Sequence, residues 1–235
     1  MRRRGLTGLL MVALLASATT APSVVGEWED DSWLSNIIGP ERIANGDEFG
    51  CHGYEGVLTT EEHWVIGACR DYLMGLANAS RWGSHPISFG ILGEEVDPST
   101  AAALVDAGFE IIGDLQSQAP EGLTAMYRNG GSLEQGVADT DLLESADEDS
   151  LVSIWWRGRM DDLRLREDKE VISWLEQQEV WLTTWGEWHH HGLSGNEVAV
   201  ELDGSTITAT LSKHASWDVP GTVSLQFEPA VVLVT

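Results

Sequence analysis

The spacing of apolar residues predicts helices that alternate with strands over most of this chain. Apolar positions recur at helical spacing within residues 58–78, and shorter helices are predicted at 37–45, 101–107 and 168–178. Short apolar runs bounded by glycine, proline or polar residues predict four strands, at residues 87–92, 109–112, 151–156 and 180–184. This alternation indicates parallel βα units and an α/β fold.

Side chains at two predicted helix starts suit the capping role. Thr59 or Thr60 is placed to cap the first long helix, and acids occupy its first turn. Asp97, followed by proline, is placed to cap the helix at 101–107. Residues 119–150 are rich in Gly, Asp, Glu and Ser, so we expect a long loop region with helical pieces there.

The spacing of apolar residues changes from helical to alternating near the C-terminus. Two runs of alternating residues flank Asp203 and Gly204, which is a hairpin signal, and residues 222–227 and 231–234 continue as strands. We therefore expect a main β/α domain over residues 40–192 and a small all-β appendix over residues 195–235.

The first 18 residues have the organisation of an export signal. A basic start, an apolar run to Leu15 and small residues at 16–18 follow one another, and the run is shorter than the roughly 20 residues of a membrane span. The alternative is an uncleaved N-terminal anchor. We expect an exported protein, secreted or at the cell surface, with an irregular acidic segment at residues 19–39 and no membrane span after cleavage.

Export to an oxidising compartment favours a disulfide between the two cysteines. Cys51 and Cys69 are 18 positions apart in a chain that we expect in an oxidising compartment. A bond between them would tie a glycine-rich stretch to the following helix and would stabilise the fold by about 3 kcal/mol in the chain-entropy model. The alternative is two buried thiols.

Charge and aromatic content limit the classes of partner. The chain has 38 acidic and 13 basic residues, a net charge of −25, which disfavours nucleic acids and anionic membranes as partners. Such a surface suits solubility in a saline medium. Eleven tryptophans supply core packing, and some of them could stack against sugar rings.

One glycine-rich stretch, residues 46–56, contains several side chains that can bind a metal ion or transfer a proton. It contains Asp47, Glu48, His52 and Glu55 beside Cys51. Carboxylates and an imidazole packed this closely can bind a divalent cation or transfer a proton. The alternative is an exposed turn with ordinary polar residues.

Three segments together resemble the polysaccharide deacetylase family. They read ERIANGDEFGCHGYEGVLTTEEHW, HPISFGILGEEVDPSTAAALVDAGFEIIGDLQ and DKEVISWLEQQEVWLTTWGEWHHH, and the resemblance covers about residues 40–191. It implies an incomplete (β/α) barrel that binds a divalent metal, often zinc, through one Asp and two His. It also implies metal-assisted removal of acetyl groups from polymers such as chitin or peptidoglycan.

The resemblance assigns few of the family's functional residues to this chain. His52 matches the first metal-binding His, Gly56 stands where the second is expected, and Asp47 replaces the His of the Gly-His-Glu turn. Asp114 stands where a catalytic Asp could be, whereas the family's Arg and its last His are missing. A rebuilt zinc or other divalent-metal site would need Asp47, Glu48 or Glu55 beside His52, together with Asp114.

Several tryptophans and histidines have both a functional and a structural interpretation. Trp155, Trp156 and Trp188 could form a sugar-stacking platform, and core packing is the alternative. The three consecutive histidines at 189–191 follow Trp188 at a predicted strand end, where barrel sites lie. Glu187 matches a structural Glu of the family, and three isolated histidines are expected to be surface or packing residues: His63, His85 and His214.

The sequence thus predicts an exported, polysaccharide-deacetylase-like protein that acts on or binds glycans or a cell-surface polymer, with a lost or rebuilt catalytic site. The alternative is a divergent metal-dependent hydrolase of non-peptide carbon–nitrogen bonds that removes acetyl groups from a polysaccharide. A shortened reading frame that lacks an upstream Asp-Asp strand is a third possibility.

Overall fold

A computed structural model of the chain describes residues 39–53, 56–91, 95–114, 118–133, 136–147, 150–155, 168–211 and 216–220. Within these ranges there are six helices: α1 (Gly39–Asn45), α2 (Trp64–Leu76), α3 (Pro98–Asp106), α4 (Thr140–Ser145), α5 (Lys169–Leu175) and α6 (Trp185–Glu197). The same ranges contain five strands: β1 (Ser88–Gly90), β2 (Ile111–Gly113), β3 (Thr124–Met126), β4 (Val198–Asp203) and β5 (Thr206–Leu211). Several predicted features lie outside the described residues: the export signal, Glu55, Trp156, His214 and the strands at 222–227 and 231–234.

A parallel sheet in the order β1, β2, β3 organises the main part of the fold. Phe89 of β1 lies opposite Ile112 of β2, which lies opposite Ala125 of β3. Cys51 pairs with Phe89 in a parallel bridge, so the glycine-rich stretch runs along the free edge of β1. The prediction of a parallel βα unit is therefore confirmed for β1, α3 and β2. The described residues form no closed barrel, and the incomplete barrel stays a prediction.

Side chains of the sheet alternate between two apolar clusters. Phe89 and Ile112 belong to the larger cluster, where α2 and α3 pack on one face of the sheet. Ile87 and Ile111 belong to a second cluster, which also contains Trp217 from near the C-terminus. Because both faces are covered, the strands read as short continuous apolar runs in the sequence.

Helix starts follow the predicted chemistry at one position and depart from it at another. Asp97 caps α3, accepting hydrogen bonds from the backbone amides of Ser99 at 2.7 Å and Thr100 at 3.1 Å. Hydrogen bonds from the side chains of the same two residues lower the pKa of Asp97 well below its usual range. Helix α2 begins after His63 and not at Thr59 or Thr60, and His63 Nε2 lies 2.9 Å from Thr100 Oγ1, joining α2 to α3.

Two predicted strands are wrong within the described residues. Residues 151–155 make only one isolated parallel bridge, between Trp155 and Ser132, because their partner segment turns at Gly131, where φ is +77°. Residues 180–184 are not in a strand, and Val180 and Leu182 are exposed. An apolar run signals a tendency to be buried but does not specify a strand partner. The short strand β3 lies in the segment that the sequence indicated as loop.

The predicted hairpin is confirmed, with β4 and β5 paired antiparallel around Asp203 and Gly204. Helix α6 runs directly into β4, so no break in structure separates the two predicted domains at residues 192–195. After the hairpin, Trp217 packs in the second apolar cluster of the main domain. Among the described helices, none combines the length and the apolar character that crossing a bilayer requires.

Candidate functional site

The glycine-rich stretch is held against the edge of β1. The Cys51 amide donates to Ser88 O at 2.9 Å, and the Gly90 amide donates to Cys51 O at 2.7 Å. A disulfide joins Cys51 to Cys69 of α2, with the two Cα atoms 6.0 Å apart. His52 comes next, at the carboxyl end of β1 and close to Gly90. His52 is exposed.

Glu48 in this stretch connects β1 to the start of α6. Its Oε2 accepts from the Gly186 amide at 2.7 Å, and its Oε1 accepts from Ser88 Oγ at 2.9 Å. Burial of the carboxylate raises the pKa of Glu48, and the opposing hydrogen bonds from Gly186, Thr184 and Ser88 do not cancel this effect. Because both oxygens already accept hydrogen bonds, Glu48 acts as a structural link and is poorly suited to be a metal ligand.

The other proposed ligands are also engaged or dispersed. Asp47 Oδ2 lies 3.8 Å from Arg42 Nη1 of α1. His52 follows the segment that runs along the edge of β1, and Asp114 follows β2. That segment and β2 are two inter-strand spacings apart, which is roughly 10 Å. Across the described ranges, no group of three or more His, Cys, Asp or Glu side chains is placed to hold a metal ion. A catalytic zinc needs about three protein ligands and a water, so the described residues do not fit the metal that the resemblance implies.

Asp114 lies directly after β2, and both of its carboxylate oxygens accept hydrogen bonds from Arg128. Its Oδ1 accepts from the Arg128 amide at 2.9 Å, and its Oδ2 accepts from both Nε and Nη2 of Arg128. Its φ is +59°, a left-handed value that is costly for a residue other than glycine. The arrangement therefore makes Asp114 a positioning residue for Arg128, and the catalytic role that the resemblance suggested for Asp114 stays a prediction.

Arg128 in turn lies over an aromatic ring. Its guanidinium carbon is 4.7 Å from the ring centroid of Trp155. The side chain is partly exposed, and within the described residues its Nη1 makes no hydrogen bond. We call Asp114, Arg128 and Trp155 together the Arg128 site. It combines two N–H donors fixed in orientation with a flat apolar surface.

The Arg128 site occupies the end of the sheet where ligands bind in parallel α/β folds. Asp114 follows β2, Arg128 follows β3, and Trp155 bridges to the segment after β3. Trp185, the first residue of α6, lies over Gly113, where a Cβ would come within 2.8 Å of its ring. The indole N–H of Trp185 donates to Ser153 Oγ, two residues before Trp155. Trp185 thus links α6 to the backbone beside the site.

No protein-family model, curated protein or solved structure matches this chain. The geometry of the site therefore carries the argument for function.

A second polar cluster lies at the opposite end of β2, around Glu110. Glu110 Oε2 is 3.2 Å from His189 Nε2 and 3.6 Å from His190 Nε2, and Glu110 Oε1 is 2.5 Å from Ser216 Oγ. Burial alone would raise the pKa of Glu110. The hydrogen bonds from His189 and Ser216, with the charges of both histidines, outweigh it and lower this pKa below its ordinary value.

This second cluster contains a serine close to a histidine, a combination that nucleophilic catalysis uses. Ser216 Oγ lies 3.1 Å from His190 Nε2, which is the spacing of a nucleophile and its base. The hydroxyl donates to Glu110, however, so its proton is not directed to the imidazole. The cluster therefore anchors the C-terminal segment to β2 and does not form a catalytic pair.

The predicted tryptophan platform is not assembled from Trp155 and Trp188. Trp188 lies in the first turn of α6, against the second apolar cluster and 5.6 Å from the ring of Trp181. The three histidines after it are likewise in α6 and not at a strand end, and His191 packs edge-on against Trp181. Glu187 is buried and pairs with Arg81 at 3.0 Å, a structural arrangement.

Sequence reasoning missed Arg128 and Trp185. Arg128 follows a strand of three residues, too short to show a period of two. Trp185 directly follows the strand predicted at 180–184, so its place at the start of a helix over the sheet was not expected. A weak signal was present, since Arg128 lies in a polar loop region, and binding residues are disproportionately found on loops.

Proposed function

We propose that this protein binds a glycan through the Arg128 site and acts as a deacetylase-like binding protein, not as a metal hydrolase. The observation that carries the proposal is the stack of Arg128 on Trp155, held by Asp114 at the carboxyl ends of the parallel strands. The resemblance of residues 40–191 to polysaccharide deacetylases supports a glycan as the class of ligand.

The chemistry of the stack suits an oxygen-rich ligand. The Asp114 carboxylate fixes the plane of the guanidinium, so Nη1 can donate to hydroxyl or acetamido oxygens without a large loss of side-chain entropy. The indole of Trp155 offers a rigid apolar surface to the C–H face of a sugar ring. The acidic surface of the molecule favours a neutral glycan over a polyanionic one.

The engaged carboxylates favour binding over hydrolysis. Glu48 accepts two hydrogen bonds from the protein, and Asp114 is held in a fork by Arg128. Neither is left as a free base, and general base catalysis requires a carboxylate within reach of the attacking water. Glycan affinity in the absence of turnover is the expected behaviour.

The test compares glycan binding by the wild type and by variants of the Arg128 site. Isothermal titration with N-acetylglucosamine oligomers and pull-down on insoluble peptidoglycan and chitin would measure affinity. We expect Trp155→Ala and Arg128→Gln each to weaken binding at least about tenfold, or about 1.4 kcal/mol. Trp181→Ala is the matched control, because Trp181 is an exposed tryptophan outside the Arg128 site whose ring packs beside Trp188 of α6, and this variant should bind like the wild type.

Two outcomes would contradict the proposal. The first is unchanged binding in both site variants whose circular dichroism shows an intact fold. The second is stoichiometric metal in the purified protein together with acetate release that His52→Ala abolishes, which would establish the hydrolase alternative.

A further inference from the structure

The hairpin of β4 and β5 has one entirely apolar face. Directly paired residues share a face of the sheet, and neighbours along a strand alternate between faces. The pairs Val198 with Leu211, Val200 with Ala209 and Leu202 with Ile207 therefore place six apolar side chains together. The opposite face carries mainly acidic and threonine side chains: Glu201, Asp203, Thr206, Thr208 and Thr210. Such a division is typical of a sheet with one buried face.

This apolar face is exposed in the part of the chain that the structure describes. The exposed fractions are 49% for Val200, 73% for Leu202, 38% for Ile207 and 46% for Leu211. Within the described residues the hairpin forms a sheet of only two strands. An isolated hairpin of two strands is marginally stable in water, and a third strand or a packed partner is usually needed.

The chain returns to the main domain directly after the hairpin. Ser216 donates to Glu110, the buried Trp217 donates its indole N–H to His85 O at 2.9 Å, and the Asp218 amide donates to Trp82 O at 3.1 Å. Trp217 also packs beside His190 of α6, with ring centroids 5.9 Å apart. The segment after Pro220 therefore starts from a fixed point on the main domain.

Residues 221–235, which follow this point, are themselves strongly apolar. They read GTVSLQFEPAVVLVT, with Glu228 as the single charged residue. Val223, Leu225 and Phe227 alternate with polar residues, and Pro229 separates this run from a second apolar run at 231–234. Exposure of such a segment to water is unfavourable by about 25 cal/mol per Å² of apolar area.

The distances allow the segment to reach the hairpin. From His190 to the start of β4 at Val198 the helix rises about 12 Å. Fifteen extended residues span roughly 50 Å, and a six-residue strand is about 20 Å long.

We propose that residues 221–235 fold back over the apolar face of the β4–β5 hairpin, so that Val223, Leu225 and Phe227 bury Val200, Leu202 and Ile207. Two apolar surfaces of one chain, separated by a short anchored segment, then cover each other. Tethering gives such a pair an effective concentration in the millimolar range. A second copy of the chain is a poorer partner, because each copy carries a net charge of −25 and the copies repel.

The experiment uses the full chain and measures amide hydrogen exchange over β4 and β5 by mass spectrometry. We expect Phe227→Asp and Leu202→Asp each to speed exchange of the hairpin amides at least about tenfold. Two controls on the polar faces should exchange like the wild type: Gln226→Asp, and Thr210→Asp, which lies opposite Ala199 and not opposite an acid. Exchange in β2 reports on the main domain and should stay unchanged in all four variants.

Two results would overturn the proposal. Exchange of the hairpin amides that is the same in Phe227→Asp and in the wild type would exclude residues 221–235 as the cover. Protection that rises with protein concentration, with light scattering that shows a dimer in the wild type and a monomer in Leu202→Asp, would assign the face to a second copy.

Discussion

Glu48 joins three parts of the chain through one carboxylate. It lies in the glycine-rich stretch, accepts from Ser88 at the start of β1 and accepts from Gly186 in the first turn of α6. The sequence marked Glu48 as a possible metal ligand because carboxylates near His52 suit a cation. Its actual partners were not predictable from local spacing, because Gly186 is 138 residues away.

The titration of Glu48 gives a prediction for stability. Burial raises the pKa of Glu48, so the folded state prefers the protonated form. The free energy of unfolding should therefore fall as pH rises from the unfolded pKa of about 4.3 through the raised folded value, and then level off. Glu48→Gln removes this titration and keeps an oxygen for Gly186 and an amide that can donate to Ser88.

Urea unfolding of both proteins at several pH values between about 4.5 and about 7.5 measures the effect. We expect the stability of Glu48→Gln relative to the wild type to improve as pH rises across this range. Glu48→Ala is the control, since it loses both hydrogen bonds and should be less stable than Glu48→Gln throughout. A relative stability of Glu48→Gln that does not change with pH would contradict the prediction.

At the scale of elements, α6 differs most from its sequence pattern. It contains three glycines and three consecutive histidines, and each glycine costs about 1 kcal/mol of helix propensity relative to alanine. The helix is supported by tertiary contacts: Thr184 caps it, Trp185 packs over Gly113, and Gly186 lies against Trp217. Local propensity alone therefore pointed to a strand ending near Trp188.

Two of the three glycines of α6, Gly186 and Gly192, lead to opposite predictions for stability. A Cβ at Gly186 would overlap the ring of Trp217, whereas a Cβ at Gly192 would meet nothing within 4 Å. We expect Gly186→Ala to lower the free energy of unfolding by about 1–3 kcal/mol through overpacking. Gly192→Ala should raise it by up to about 1 kcal/mol through helix propensity. Urea unfolding measures both, and equal shifts in one direction would show that Trp217 does not pack against α6 as described.

At the scale of the whole molecule, charge dominates the response to solvent. A net charge of −25 produces self-repulsion that opposes the compact state. Raising NaCl from about 20 mM to about 500 mM shortens the Debye length from roughly 20 Å to roughly 4 Å and screens this repulsion. We expect the Tm at pH 7 to rise with salt.

The matched control is the same salt series near pH 4.3, the isoelectric point expected from the sequence, where the net charge is close to zero. The rise in Tm should be much smaller there. An equal rise at both pH values would point to a general salting-out effect on apolar burial.

The sequence was enough to predict the parallel strands β1 and β2, the Asp97 cap of α3 and the β4–β5 hairpin. Each depends on apolar periodicity or turn chemistry within a few neighbouring residues, which the sequence displays directly. Strand β3 and the partners of the carboxylates were not predictable, because they depend on how the whole chain packs. Asp114 pairs with Arg128, and Glu48 with Gly186. These pairings join residues that are distant in sequence, and packing of the whole chain selects them because a buried carboxylate must find hydrogen-bond donors wherever the fold places them.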